Sequence, residues 1–133
     1  MKSVMVTGAS TGIGRATAEY LAANGWRVFA GGRKQEDGAP LAAAQSNITP
    51  VIIDVTKVDE IAAADEAVSE ALGGETLAGL VNNAGIAIMG PLALQPMETI
   101  RLHFDVHVLG TVATTQAFLP LLGMDADRKG EPG

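Results

Sequence analysis

A chain of 133 residues with 47% hydrophobic and 18% charged residues can bury a core of its own and is too apolar to be disordered by composition. The absence of cysteine excludes disulfides, thiolate metal sites and cysteine nucleophiles. A net charge of −6 with no basic stripe argues against nucleic acid or an anionic membrane as partner.

No apolar run is long enough to span a bilayer, and Met1-Lys2 leads straight into a strand pattern without a signal-peptide pattern. The expectation is a single-domain, soluble, cytoplasmic protein. Ser3–Val6 reads as a strand buried on both faces. A helical run from Gly12 to Asn24 follows, with Ile13, Ala16, Thr17, Tyr20 and Leu21 on its expected core stripe and Gly25 as left-handed cap. Trp26–Ala30 is the second strand, and Gly31-Gly32-Arg33-Lys34 reads as a loop. Residues 35–47 are ambiguous, with Pro40 able to start a short helix through Ala44. Thr49–Val55 is the third strand, with Val51-Ile52-Ile53 as its buried run. Thr56 is expected to cap a third helix with Asp59 and Glu60 in its first turn, buried through Ile61, Ala64, Val68, Ala71 and Leu72, and stopped by Gly73-Gly74. Leu77–Asn82 is the fourth strand and residues 83–94 a long loop. Pro96 opens further helix, with a stripe expected at positions 104, 108, 111, 112, 115, 118, 119 and 122. Residues 123–133 read as a surface loop. Strand–helix alternation of this kind implies a parallel sheet with helices on both faces and a nucleotide across the strands' carboxyl ends.

The chemistry concentrates at strand ends. Thr7-Gly8-Ala9-Ser10-Thr11-Gly12-Ile13-Gly14 joins the first strand to the first helix. Unpaired amides and the helix dipole make such a turn an anion site, and glycine lets a phosphate approach the backbone. After the second strand, where dinucleotide folds place an acid for the ribose hydroxyls, this chain has Arg33. A guanidinium suits a 2′-phosphate, so NADP(H) is expected over NAD(H). Asp54-Val55 ends the third strand, and a carboxylate there can accept from an amino group. Asn82-Asn83-Ala84-Gly85 follows the fourth, with amides able to pair with both backbone donors and acceptors.

The turn Thr-Gly-x-x-x-Gly-x-Gly, the Asp after the third strand and the full Asn-Asn-Ala-Gly motif, in this order, resemble the short-chain dehydrogenase/reductase family over essentially the whole chain. The resemblance implies an α/β, three-layer Rossmann-like fold whose first four strands run in the order 3-2-1-4. It implies hydride transfer between nicotinamide and a secondary alcohol or ketone. Gly8, Ser10, Thr11, Gly12, Ile13 and Gly14 would hold the diphosphate side, Asp54 and Val55 the adenine, and Asn82, Ala84 and Gly85 the ribose region. Gly90-Pro91 would approach the nicotinamide and substrate. The family is often dimeric or tetrameric, so a homo-oligomer is expected.

Two departures stand out. His107 occupies the place where the family usually has an Asn that helps hold a water in a proton relay. Its pairing with His103 at i, i+4 has no third ligand, so no metal site is expected. The family's acid is a Tyr with a Lys four residues on, yet the sole tyrosine, Tyr20, is followed there by Asn24. The chain therefore reads as the cofactor-binding half of a longer enzyme, incomplete at its C-terminus and inactive alone. A non-catalytic dinucleotide-binding or structural module is the alternative, and a flavin or other mononucleotide binder a weaker third.

Overall fold

The structure, a computed structural model, describes residues 1–133. Four strands, β1 (Ser3–Val6), β2 (Arg27–Gly32), β3 (Ile48–Ile52) and β4 (Gly79–Val81), form one parallel sheet in the order β3-β2-β1-β4. The expected order holds. Alternation along the central strands divides the core into two. Val4, Val6, Val28 and Ala30 face helices α1 (Gly12–Ala23) and α2 (Gly38–Ala44). Met5 and Phe29 face α3 (Val58–Leu72) and α5 (Thr111–Phe118). No helix is long and apolar enough to cross a membrane.

Helix α1 buries Gly14, Ala18 and Ala22, while Ile13 is 80% and Tyr20 69% exposed. The expected stripe is thus displaced around the helix. Residues with little or no side chain at i, i+4, i+8 let the helix backbone settle onto the sheet, and the larger apolar residues are turned outward. The helix closes as expected at Gly25, whose φ is +83°. Its amide donates to Ala22 O and that of Trp26 to Leu21 O, both at 3.1 Å, the double bond pattern of a Schellman cap.

Gly31-Gly32, expected in a loop, continues β2. A Cβ on Gly31 would lie 2.8 Å from Ile53 Cγ2 and 2.9 Å from Met5 Cε, so only glycine keeps this strand end against its neighbours. Strand β3 pairs only with β2, and as an edge it tolerates Pro50 and leaves Ile52 exposed rather than buried. Helix α2 forms with Pro40 in its first turn. Thr56 does not cap α3, whose N-cap is Lys57. The Thr56 amide and hydroxyl instead donate to Asp54 Oδ1 at 2.9 and 2.6 Å. Gly73 ends α3 in the left-handed region, as expected.

Beyond β4, α4 (Met97–Phe104) runs into α5 through Asp105–Gly110, wound as a π-helical segment. This winding carries the inward face through Val106, Gly110, Thr114 and Phe118. Half of the expected stripe is outward: Phe104, Val108, Val112 and Leu119 are exposed, while Phe118 is buried as expected. A stretch of i→i+5 winding changes the phase that an ordinary helical period assumes. Residues 123–133 lie at the surface but are tied down, with Thr76 N donating to Lys129 O and Gly133 N to Leu122 O, both at 2.9 Å.

Candidate functional site

A cleft of about 650 Å³ opens at the carboxyl ends of the strands. The glycine-rich turn forms its floor. Gly8 and Gly12 adopt φ of +61° and +58°, a region open to glycine with little strain. The first amide of α1 with a backbone acceptor is that of Arg15, donating to Thr11 O, so those of Gly12, Ile13 and Gly14 are left free. The turn is locked to the Asn-Asn-Ala-Gly segment behind it. Asn83 Nδ2 donates to Thr7 O at 3.1 Å and to Gly8 O at 3.0 Å. Thr7 Oγ1 accepts from the amides of Asn83 and Ala84 at 3.1 and 3.0 Å. A Cβ on Gly14 would fall 2.2 Å from Gly8 O and 2.3 Å from Asn83 Nδ2, and one on Gly8 2.8 Å from Ala84 Cα. This interlock, with free amides in front and backbone packed behind, fits a diphosphate.

Of the residues expected at the site, Gly8, Ser10, Thr11, Ile13, Arg33, Asp54, Val55, Ala84, Gly85 and His107 line the cleft. Gly12 and Gly14 shape the turn without lining it. Asn82 is turned away, its Nδ2 donating to Thr115 Oγ1 at 3.1 Å. Gly90 and Pro91, expected near substrate, lie outside the lining. Sequence reasoning missed Asn83 as the clamp, although it is in the motif, because nothing marks which asparagine faces the turn. It also missed Lys34, Asp37, Thr56 and Ile86 on the walls. Lys34, a second cation beside Arg33, was legible; Asp37 reaches the rim only through the 3-10 turn Gln35–Asp37.

Electrostatics separate the walls. Burial pushes the Asp54 carboxyl up, but hydrogen bonds from the Thr56 hydroxyl and amide, with the Lys57 and Arg33 cations, outweigh it and hold it below the ordinary carboxylate value. Arg33 and Lys34 make no ion pair within the chain. On the far wall, His107 Nε2 lies 2.7 Å from Ile86 O, to which it can donate. Tyr20, exposed on α1, does not reach the cleft.

A parallel α/β sheet with a glycine-rich turn under a cleft at its carboxyl edge defines a dinucleotide-binding protein of the Rossmann type. The family profile described as short chain dehydrogenase matches residues 2–131. The chain belongs to the short-chain dehydrogenase family of oxidoreductases. It is 36% identical over 130 residues to the NADPH-dependent 3-dehydrocapnine reductase of Ornithobacterium rhinotracheale, covering 97% of this chain and 46% of that protein. It is also 36% identical over 128 residues to the mitochondrial D-beta-hydroxybutyrate dehydrogenase of Bos taurus, covering 91% of this chain and 37% of that protein. The crystal structure of NADPH-bound carbonyl reductase from chicken fatty liver superposes with a TM-score of 0.85 at 34% identity, over 92% of this chain and 48% of that one. The chain thus spans between 37% and 48% of the length of these three proteins.

Proposed function

We propose that this chain supplies the cofactor-binding part of an NADP(H)-dependent oxidoreductase acting between a secondary alcohol and a ketone. The observation that carries the cofactor choice is the end of β2: Arg33 and Lys34 line the cleft there, and the strand ends in glycines rather than a carboxylate. The free amides of Ile13 and Gly14 would receive the diphosphate, and Arg33 the 2′-phosphate as a bidentate fork. Asp54, kept ionised, would accept from the adenine amino group. Ala84 and Gly85 would border the ribose. When bound, the nicotinamide would donate or accept the hydride. The relative named as NADPH-dependent and the NADPH-bound structural neighbour support the same choice.

Asp37 and Asp54 are the carboxylates of the cleft lining, beside the Arg33 and Lys34 cations. The test is titration with NADPH and NADH. Arg33→Asp should lower the NADPH/NADH affinity ratio by about tenfold to a hundredfold, the worth of one or two hydrogen bonds to a charged group. An unchanged ratio removes the NADP(H) assignment. Residues 1–133 alone should bind without turnover, because no Tyr-x-x-x-Lys pair lies among them. The proposal extends to assembly: Phe104, Val108, Leu109 and Val112 leave an apolar face running from the end of α4 through Asp105–Gly110 to the start of α5, and a second copy would cover it.

A further inference from the structure

We infer that His103 is a positioning residue, a proton-sensitive latch that holds the Ile86–Ile88 wall of the cleft. The inference rests on the oxidoreductase reading only in treating that wall as the substrate side.

The segment after Asn-Asn-Ala-Gly has no regular structure of its own, and two imidazoles on the facing helix hold its backbone. They stand at i, i+4 with ring centroids 6.1 Å apart and planes 13° from parallel. Their bonding is not equivalent. His103 Nδ1 lies 2.8 Å from Thr99 O, and a carbonyl only accepts, so Nδ1 carries the proton. Its Nε2 must then be bare, and it accepts from Ile88 N at 3.1 Å. Both nitrogens are used, and only the neutral ring with the proton on Nδ1 satisfies both. His107 Nε2 lies 2.7 Å from Ile86 O and 3.2 Å from Ile86 N. One nitrogen cannot donate and accept at once, and the shorter contact puts the proton on Nε2. A second proton on His107 Nδ1 leaves the bond to Ile86 O in place.

Protonation therefore costs His107 no bond but costs His103 its bond to Ile88. Imidazoles change charge between about pH 5 and 8. The Ile88 bond is present while the His103 ring is neutral and is lost once Nε2 carries a proton. Residues 83–96, the loop facing both rings, carry no ionisable side chain. The charges on the rings' own helix are Glu98, Arg101 and Asp105, and Asp54 stands on the opposite wall of the cleft that His107 lines. None of them lies within ion-pair distance of either ring. Ile86 and Ala87 form part of the cleft wall, so release of Ile88 frees the anchored end of a surface that a substrate would meet.

The test is amide hydrogen exchange of Ile88 in the protein at several pH values between about 5 and 8, with ring tautomers read from nitrogen-15 shifts of both histidines. The Ile88 protection factor should fall at least tenfold as the His103 ring charges, while the Ile86 contact to His107 persists. His103→Gln keeps an acceptor in place of Nε2 that does not titrate, and there Ile88 protection should stay level with pH. Wild-type Ile88 protection that is level across the titration overturns the latch, as does a pH-dependent loss that survives in His103→Gln. A proton on His103 Nε2 in the neutral ring overturns it too. Failure of NADPH to bind at any pH would instead remove the oxidoreductase reading and leave the Ile88 result standing.

Discussion

The two walls of the cleft are held by different means. Toward β1 and β2, backbone packs on backbone: Gly8 and Gly14 have no room for a Cβ, and Asn83 and Thr7 tie the turn to the end of β4. Toward α4, an irregular segment hangs from two side-chain nitrogens, over a helix whose outer face is apolar and exposed. The first wall suits a ligand of constant shape, since preorganised amides need no rearrangement to meet phosphate. The second has fewer constraints and suits variable chemistry, as surface loops on a rigid scaffold commonly do.

The sharpest way to break this comparison is to put a side chain into the rigid wall. Gly14→Ala should destabilise the protein by about 3 kcal/mol or more, because the new Cβ meets a backbone carbonyl and a bonded amide rather than a flexible side chain. Gly12→Ala is the control. Nothing lies within 4 Å of its Cβ, so only the positive φ is penalised, at about 1 kcal/mol. Thermal and urea unfolding of the two variants should rank them in that order; equal losses would mean that conformation, not packing, limits the turn.

Next comes the clamp. Asn83→Ala removes the donor to Thr7 O and Gly8 O and should cost about 2 kcal/mol, together with cofactor affinity. Asn82→Ala, in the neighbouring position, removes only a bond to Thr115 and should cost under about 1 kcal/mol, with affinity unchanged. A reversed ranking of these two would place the clamp on the wrong asparagine.

These two walls were also unequally legible. The turn, Arg33 and Asp54 could be read because strand ends and glycine spacing are local signals, and the structure sets them around one cleft. Helix faces were harder. On α1 the apolar count favoured Ile13 and Tyr20, yet Gly14, Ala18 and Ala22 are the buried set, since close approach rewards small residues that a hydrophobic stripe undervalues. On the last helix the π winding at Asp105–Gly110 moved the phase, which no ordinary period anticipates. The roles of His103 and His107 depend on a loop more than ten residues upstream, so spacing along the helix could not reveal them.

The exposed face that resulted from this phase shift gives the third test. Phe104 and Leu109 are each 61% exposed. Replacing both by Glu should convert an associated species to monomer in sedimentation while changing unfolding free energy by no more than about 0.5 kcal/mol. A wild type that sediments as a monomer at every concentration removes the proposed assembly.

The smallest effect compares two aspartates, one at the cleft and one away from it. Asp54 is held below the ordinary value of 3.8, so its stabilising contribution is present above that pH and is lost as pH falls through the lower folded value. Asp65 on α3 is raised from 3.8, mainly because burial penalises its charged form, with Arg128 opposing and Glu66 adding to the rise. Its Oδ1 is buried without a hydrogen-bond partner. Its sign is opposite: the penalty is present at neutral pH and relieved as pH falls through the raised value. Urea midpoints from neutral pH to about pH 3 should show Asp54→Asn less stable than wild type at neutrality, with the difference closing in acid. Asp65→Asn should be the more stable at neutrality, and its advantage should also close in acid. If both substitutions shift the midpoint in the same direction at pH 7, hydrogen bonding at the cleft does not distinguish these carboxylates, and the electrostatic contrast between the site and α3 fails.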